Sequence, residues 1–309
     1  MKKKKRYSKK PAQGRAVRSR GRSLAGWICI LALIGAVASA GYILYHRGDS
    51  ETAKIPYTHG KGPALGVVGT LEEHESAGPK ESARKKAGVG GRVAFVIDDM
   101  GYDVSILDEI LAIDAPITIS ILPHLPYSVA VARQAHRAGK EVLLHLPMEP
   151  HGYPEIRPGS GVLLLQMDDN EIVDQLEEDM RSVPHMSGVN NHMGSRFMED
   201  EEKVTIVLKD IKGRGFFFLD SLTTKDSKGL PVAERIGLPH AGRDIFLDND
   251  CDFGEALDIL HHIVEERDMW ETMIIIGHPH ESTIRAIGAV VPVFRDNDIR
   301  IVPLSDLIE

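Results

Sequence analysis

Val93-Ala94-Phe95-Val96-Ile97-Asp98-Asp99-Met100-Gly101-Tyr102 is the stretch that decides the fold. A β-branched and aromatic run ends in two adjacent carboxylates and then a glycine. An apolar strand is a costly place to end in two charges, because neighbouring carboxylates repel and desolvate each other. A metal, a cationic partner or open water has to offset that cost. The pattern recurs down the chain. Val142-Leu143-Leu144 ends at His145, and Val189 leads into Asn190, Asn191 and His192. Phe216-Phe217-Phe218-Leu219 runs into Asp220, and Met273-Ile274-Ile275-Ile276 runs through Gly277 into His278. Five strand-like runs thus each end in a residue that can ligate a metal or move a proton.

Between these runs lie amphipathic stretches at Val104–Ile113, Ser128–Ala138, Asn170–Arg181, Glu201–Lys212, Phe253–Arg267 and Ser282–Asp296. Strands alternating with helical patterns imply βα units and a parallel sheet. Eight strands are predicted, at 93–98, 116–122, 141–146, 187–192, 215–220, 243–247, 272–277 and 299–303. The expected fold is α/β: a closed or nearly closed (β/α) barrel of seven to eight strands, with the active site at the strands' carboxyl ends. An open doubly wound sheet is the alternative, and it too places ligands at strand carboxyl ends.

The N-terminus predicts topology. Residues 1–23 hold eleven Lys or Arg and no acid, and Leu24–Tyr45 is 22 residues without a charge. That length spans a hydrocarbon core as a helix. The basic flank predicts a cytoplasmic N-terminus and an exported remainder, anchored in the inner membrane. Ala38-Ser39-Ala40 allows the competing reading of a cleaved signal peptide and a secreted protein. Residues 46–91, rich in Gly, Lys, Glu, Ala and Pro, read as a flexible linker to a domain at 92–309. Beyond residue 47 the net charge is −20, counting His as neutral. So acidic a body argues against nucleic acid as a partner. The two cysteines, Cys29 and Cys251, form no disulfide framework and exclude a Cys-based zinc site by count.

Residue by residue, one of Asp98 and Asp99 reads as a metal ligand and the other as a base, against the plainer reading of a strand end followed by a helix cap. Asp103 is better placed to cap the helix starting near Val104, and Gly101 lets the loop turn. His145 ends an apolar run before the Pro-broken loop Pro147-Met148-Glu149-Pro150. Asn190-Asn191-His192-Met193-Gly194-Ser195 is poor core material and good site material. Imidazole and carboxylate together suit Zn²⁺ and similar divalent ions. Asp220 reads equally as a site residue or a turn residue. His278 is a candidate general acid, and Arg243-Asp244 reads as a positioning pair or a plain ion pair.

These motifs resemble those of the polysaccharide deacetylase (NodB-like) superfamily, and in particular its divergent branch of exported bacterial proteins, over about residues 92–309. Phe95-Val96-Ile97-Asp98-Asp99-Met100-Gly101 is similar to the family's strand ending in Asp-Asp-Gly. The resemblance implies that Asp98 is the base and Asp99 a metal ligand. Gly139-Lys140-Glu141-Val142-Leu143-Leu144-His145 matches the second motif up to its first metal-binding His; where a second His is expected four residues on stands Glu149. Ile274-Ile275-Ile276-Gly277-His278 matches the strand that ends in a catalytic His. The family's Arg-Pro-Pro motif is not recognisable, and Asn190-Asn191-His192-Met193-Gly194-Ser195 is similar to the divergent branch's own signature. His192, or failing it Glu149, supplies the missing ligand on this reading.

The expectation is a metal-dependent deacetylase acting on non-peptide C–N bonds. A divalent ion, Zn²⁺ first among the choices, is held by Asp99, His145 and His192. Asp98 serves as base, His278 as acid and Asp220 as an orienting group. The substrate is an acetylated, peptidoglycan-like cell-envelope glycan. The rivals are a degenerate module on the same fold that binds glycan or an envelope protein, and a metal-dependent hydrolase of another bond.

Overall fold

The structure, a computed structural model, describes residues 90–249 and 251–308. The basic tail, the 24–45 span and the linker up to residue 89 lie outside the described residues. Among the described residues no helix is long and apolar enough to cross a membrane.

The chain alternates as its sequence pattern requires. In order come β1 (Arg92–Met100), α1 (Ser105–Leu111), β2 (Ile117–Ile121), α2 (Ser128–Arg137), β3 (Val142–Met148) and α3 (Asp169–Ser182). β4 (Gly188–Met193), α4 (Glu201–Gly213), β5 (Phe217–Asp220), α5 (Gly229–Ile236), β6 (His240–Gly242) and β7 (Ile245–Phe246) follow. The chain ends with α6 (Phe253–Glu265), β8 (Thr272–Gly277), α7 (Glu281–Asp296) and β9 (Arg300–Ile301). Local chemistry sets several starts. Asp168 and Glu171 form a reciprocal capping box on α3, and the Asp200 and Asp252 side chains cap α4 and α6. Asp103 accepts from the Ser105 backbone at 2.9 Å and its hydroxyl at 2.8 Å, while Val104 takes the cap position itself.

The strands form one parallel sheet in the order β6-β5-β4-β3-β2-β1-β8-β7, with β9 paired to the first residues of β1. β6 and β7 stand at opposite ends of that order, yet Arg243 and Asp244 alone separate them in the chain. Three residue steps reach about 10 Å. The sheet must therefore curl until its ends almost meet. The result is a half-barrel left open between β6 and β7, not a closed ring. The strand expected at 243–247 is only β7, and β6, on the other edge just before it in the chain, was not expected. Helix α5 carries no signal in the sequence reading. Its Gly229-Leu230-Pro231 start resembles a loop, but Pro is tolerated in a first helical turn, and Gly237, at φ 65°, ends the helix.

Side-chain alternation then sorts the core. Ala94 and Val96 of β1, Leu143 of β3, Phe217 and Leu219 of β5, and Ile274 and Ile276 of β8 fill the inside of the curl. Leu304 and Leu307 plug its amino-terminal end, where Leu304 N donates to Thr118 Oγ1. Residues of the other parity, such as Phe95, Ile97, Leu144, Phe218 and Ile275, pack outward under the helices. Continuing the inward series past the apolar layer gives Asp98, His145, Asn190, Ser221 and His278. The carboxyl end of the curl is therefore lined with polar side chains standing on an apolar floor.

Candidate metal centre and acid–base cluster

Asp98 and Asp99 are neighbours in a strand, so plain alternation would point them to opposite faces. The pairing of β1 with β2 shows why they do not. Ile97 pairs with Ile119 and Met100 with Ile121, so β1 carries one extra residue, a bulge, at the two aspartates. Asp99 takes the left-handed conformation there, at φ 57°. Such a conformation costs a non-glycine residue on the order of 1–3 kcal/mol and clusters at functional sites. It turns the Asp99 carboxylate back to the inside, beside Asp98.

β3 and β4 supply the partners. His145 pairs with Asn190 across the ladder, and His192, two residues on, shares their face. Asp99 Oδ1 lies 3.2 Å from His145 Nε2 and 3.0 Å from His192 Nδ1, and those two nitrogens are 3.1 Å apart. Asp99 Oδ1 is buried and has no hydrogen-bond partner. Buried polar atoms almost always have one. Three ligand atoms bound at 2.0–2.2 Å to a tetrahedral ion stand about 3.3–3.6 Å apart. The near-equilateral triangle here needs to open by a few tenths of an ångström at most, and a cation at its apex satisfies the orphaned oxygen. Asp99, His145 and His192 therefore fit a divalent metal ion.

Asn190 organises the layer below. Its Oδ1 accepts from Ser120 Oγ at 2.6 Å and from His145 Nδ1 at 3.0 Å. Its Nδ2 donates to Asp98 Oδ1 at 2.9 Å and to Ser221 Oγ at 3.2 Å. An acceptor at His145 Nδ1 puts the proton there and leaves the Nε2 lone pair facing Asp99, the tautomer a metal ligand needs. Asp98 Oδ2 stands 3.6 Å from His145 Nε2.

His278 follows β8 on the opposite wall. Its Nδ1 contacts Asp248 Oδ1 at 3.0 Å, and Nε2 points to Asp99 Oδ2 at 3.9 Å. Asp248 is itself held: its Oδ2 accepts from the His278 backbone at 2.5 Å and from Thr283 Oγ1 at 2.8 Å.

The electrostatics follow from burial opposed by pairing. Burial works to raise the Asp99 carboxyl, but the His145 and His192 nitrogens beside it outweigh this and hold it below the usual range. Burial pushes His145 down, and the Asp98 and Asp99 carboxylates bring it above its ordinary value. His192 stays low, because burial dominates its single carboxylate contact. His278 is raised, its desolvation outweighed by Asp248, while Asp248 is lowered because His278 outweighs its burial.

The structure thus brings Asp98, Asp99, His145, His192 and His278 to one mouth. Asp220 is different. It has the outward parity of Phe218, and its carboxylate accepts from Leu222 N at 2.9 Å and Ser227 Oγ at 2.6 Å. It folds the β5–α5 loop, and its inward-facing neighbour Ser221 touches the site in its stead. Glu149 is taken up as well, by Arg196 Nη1 at 2.7 Å and Leu165 N at 2.8 Å, which leaves His192 as the third vertex. Arg243 and Asp244 serve separate ends: Arg243 Nε donates to Ser221 O at 2.9 Å, and Asp244 accepts from Ile274 N at 2.7 Å. Asp248 is the residue the sequence reading passed over. Ile245-Phe246-Leu247-Asp248 is the same apolar run ending in a carboxylate, one residue beyond the predicted strand.

A parallel α/β half-barrel with a two-His, one-Asp cluster at its carboxyl end defines a deacetylase-type fold. The sequence profile of the divergent polysaccharide deacetylase family matches residues 95–308, and the chain belongs to that family. It is 31% identical over 210 residues to the uncharacterized protein YibQ of Escherichia coli K12, covering 66% of this chain and 63% of that one. The chain thus spans less than two thirds of that relative's length. An uncharacterized protein of Haemophilus influenzae is 30% identical over 216 residues, 70% of this chain and 76% of its own. The crystal structure of an uncharacterized protein from Agrobacterium tumefaciens C58 superposes with a TM-score of 0.67 at 27% identity, covering 74% of this chain and 92% of that one.

Proposed function

We propose that the protein is a metal-dependent hydrolase that removes acetyl groups from a cell-envelope glycan. The observation that carries the reading is the orphaned Asp99 Oδ1 at the corner of a ligand-sized triangle with His145 and His192. Family membership supports the acetyl-glycan substrate class. A divalent ion, Zn²⁺ by its preference for imidazole and carboxylate, supplies Lewis acidity to an acyl carbonyl and acidifies water beside it.

The chain's own residues do the proton work. Asp98, held by Asn190, takes a proton from the attacking water as its oxygen bonds to the acetyl carbon. His278, held by Asp248, gives its Nε2 proton to the leaving nitrogen or oxygen as the bond to the acetyl carbon breaks. The products are acetate and the free amine or hydroxyl. The basic flank and uncharged 24–45 segment support placing this domain outside the inner membrane on a single-pass anchor.

The departure at Glu149 from the family's second metal His favours one rival, a glycan- or protein-binding module with a silent site. Acetate release from acetylated chito-oligosaccharides and from peptidoglycan, measured beside metal content, separates the two. Metal-dependent release supports the hydrolase; a metal-loaded protein that releases none from any acetylated glycan supports the binding module.

A further inference from the structure

The second cluster at the mouth has more ligands than proton transfer requires. Asp248, His278 and His280 each offer one ligand atom within 4.8 Å of the others, separately from the Asp99 group. Asp248 is buried, and its Oδ1 stands 3.0 Å from His278 Nδ1, a ligand-to-ligand distance. The third imidazole is placed by a tight turn: His280 N donates to His278 O at 2.8 Å, and the rings lie 6.1 Å apart. An Asp–His pair that serves only to orient His278 has no use for His280, which is exposed and has the freedom to close on the pair.

We propose that Asp248, His278 and His280 form a second, weaker divalent-cation site, and that its occupation silences the enzyme. A cation there takes the place of the His278 Nδ1 proton. In the neutral ring that proton moves to Nε2; from the imidazolium it leaves to solvent. Either way the ring can no longer become the imidazolium that donates to the leaving group. Two features make this the weaker site. His280 must swing inward to bind, and it stands at the start of α7, where the positive end of the helix opposes a cation. The cation class is a borderline transition ion such as Zn²⁺, which two imidazoles and a carboxylate select over Mg²⁺ or Ca²⁺. The silencing half rests on the proposed reaction; the binding half does not.

The test is calorimetric titration of the metal-free, detergent-solubilised full chain with ZnCl₂, beside acetate release at rising free Zn²⁺. Wild type should show a tight and a weaker class of site, and excess Zn²⁺ should inhibit it. His280→Ala, which leaves the proposed reaction machinery untouched, should keep the tight class and basal activity. Its weaker class should lose at least about tenfold in affinity, and its inhibition should disappear. His192→Ala should lose the tight class alone. A wild type with one class, or a weaker class and inhibition unchanged in His280→Ala, overturns the proposal and leaves the main site standing. A His280-dependent class in a protein whose tight class ignores His192→Ala upholds this site and sinks the Asp99 centre.

Discussion

His145 Nδ1 stands 3.0 Å from Asn190 Oδ1, the amide oxygen that also accepts from Ser120, while the same amide's nitrogen holds Asp98. One buried side chain therefore fixes the tautomer of a proposed metal ligand and the orientation of the proposed base. Asn190 carries no charge and reaches no solvent, so its whole effect runs through the side chains it holds, Ser120, His145, Asp98 and Ser221.

Asn190→Ala should on this account weaken metal binding by about 10–100-fold, as loss of partners behind a ligand typically does. It also leaves Asp98 and His145 with unmet buried hydrogen bonds, at about 1–3 kcal/mol of stability. Competition with a chelator and a denaturant melt measure both. Unchanged metal affinity in a folded Asn190→Ala protein would remove Asn190 from the site.

Much of this layout is legible in the sequence. The apolar runs ending in Asp98, His145, His192 and His278 were readable because inward-facing strand ends are where a curled parallel sheet exposes side chains. What the sequence could not carry was parity. Asp99 has the wrong parity for an inward group and Asp220 the same; a bulge and one left-handed residue rescue Asp99, and nothing rescues Asp220. Asp248 escaped because the strand expected at 243–247 stops one residue short of it, and β7 itself is only Ile245–Phe246, too short for its end to be fixed by pattern. The opening between β6 and β7 was likewise hidden, since edge pairing depends on curvature set by the whole sheet.

The two aspartates should separate in mutants. Asp99→Asn removes a vertex of the triangle and should weaken metal binding itself, with activity partly restored by added metal. Asp98→Asn leaves the vertices in place, so it should keep metal while turnover falls about 10²–10⁴-fold. Metal stoichiometry beside acetate release reads both, and loss of metal in Asp98→Asn would mean that Asp98 is the ligand.

Asp248 should show itself in the pH profile. The acid role proposed for His278 needs the protonated ring, so activity should fall as pH rises through the His278 pKa, which Asp248 holds above the ordinary value. Asp248→Asn should move the descending limb to lower pH as well as lower the plateau. A limb that stays in place in Asp248→Asn would assign it to another group.

A last buried carboxyl lies away from the strand ends, on α3. Asp179 is fully buried, and burial, reinforced by the Glu178 charge, pushes its pKa up to about 8 although Gln175 Nε2 donates to Oδ1 at 2.9 Å. His124 Nε2 stands 2.8 Å from the same oxygen, and Oδ2 has no partner. This is the arrangement of a neutral acid whose carbonyl oxygen takes both donors. Its ordinary pKa is 3.8, so between about pH 4 and 8 the folded chain holds a proton that the unfolded chain has lost. Stability from this group is full below about pH 4 and declines as pH rises toward 8, by on the order of 5 kcal/mol. Asp179→Asn keeps the acceptor oxygen and cannot ionise. Denaturant midpoints at pH 5 and 8.5 should therefore fall with pH in wild type more than in Asp179→Asn, leaving the variant the more stable protein at pH 8.5. Parallel behaviour of the two, or a wild type that gains stability toward pH 8.5, would show that Asp179 is ionised in the fold.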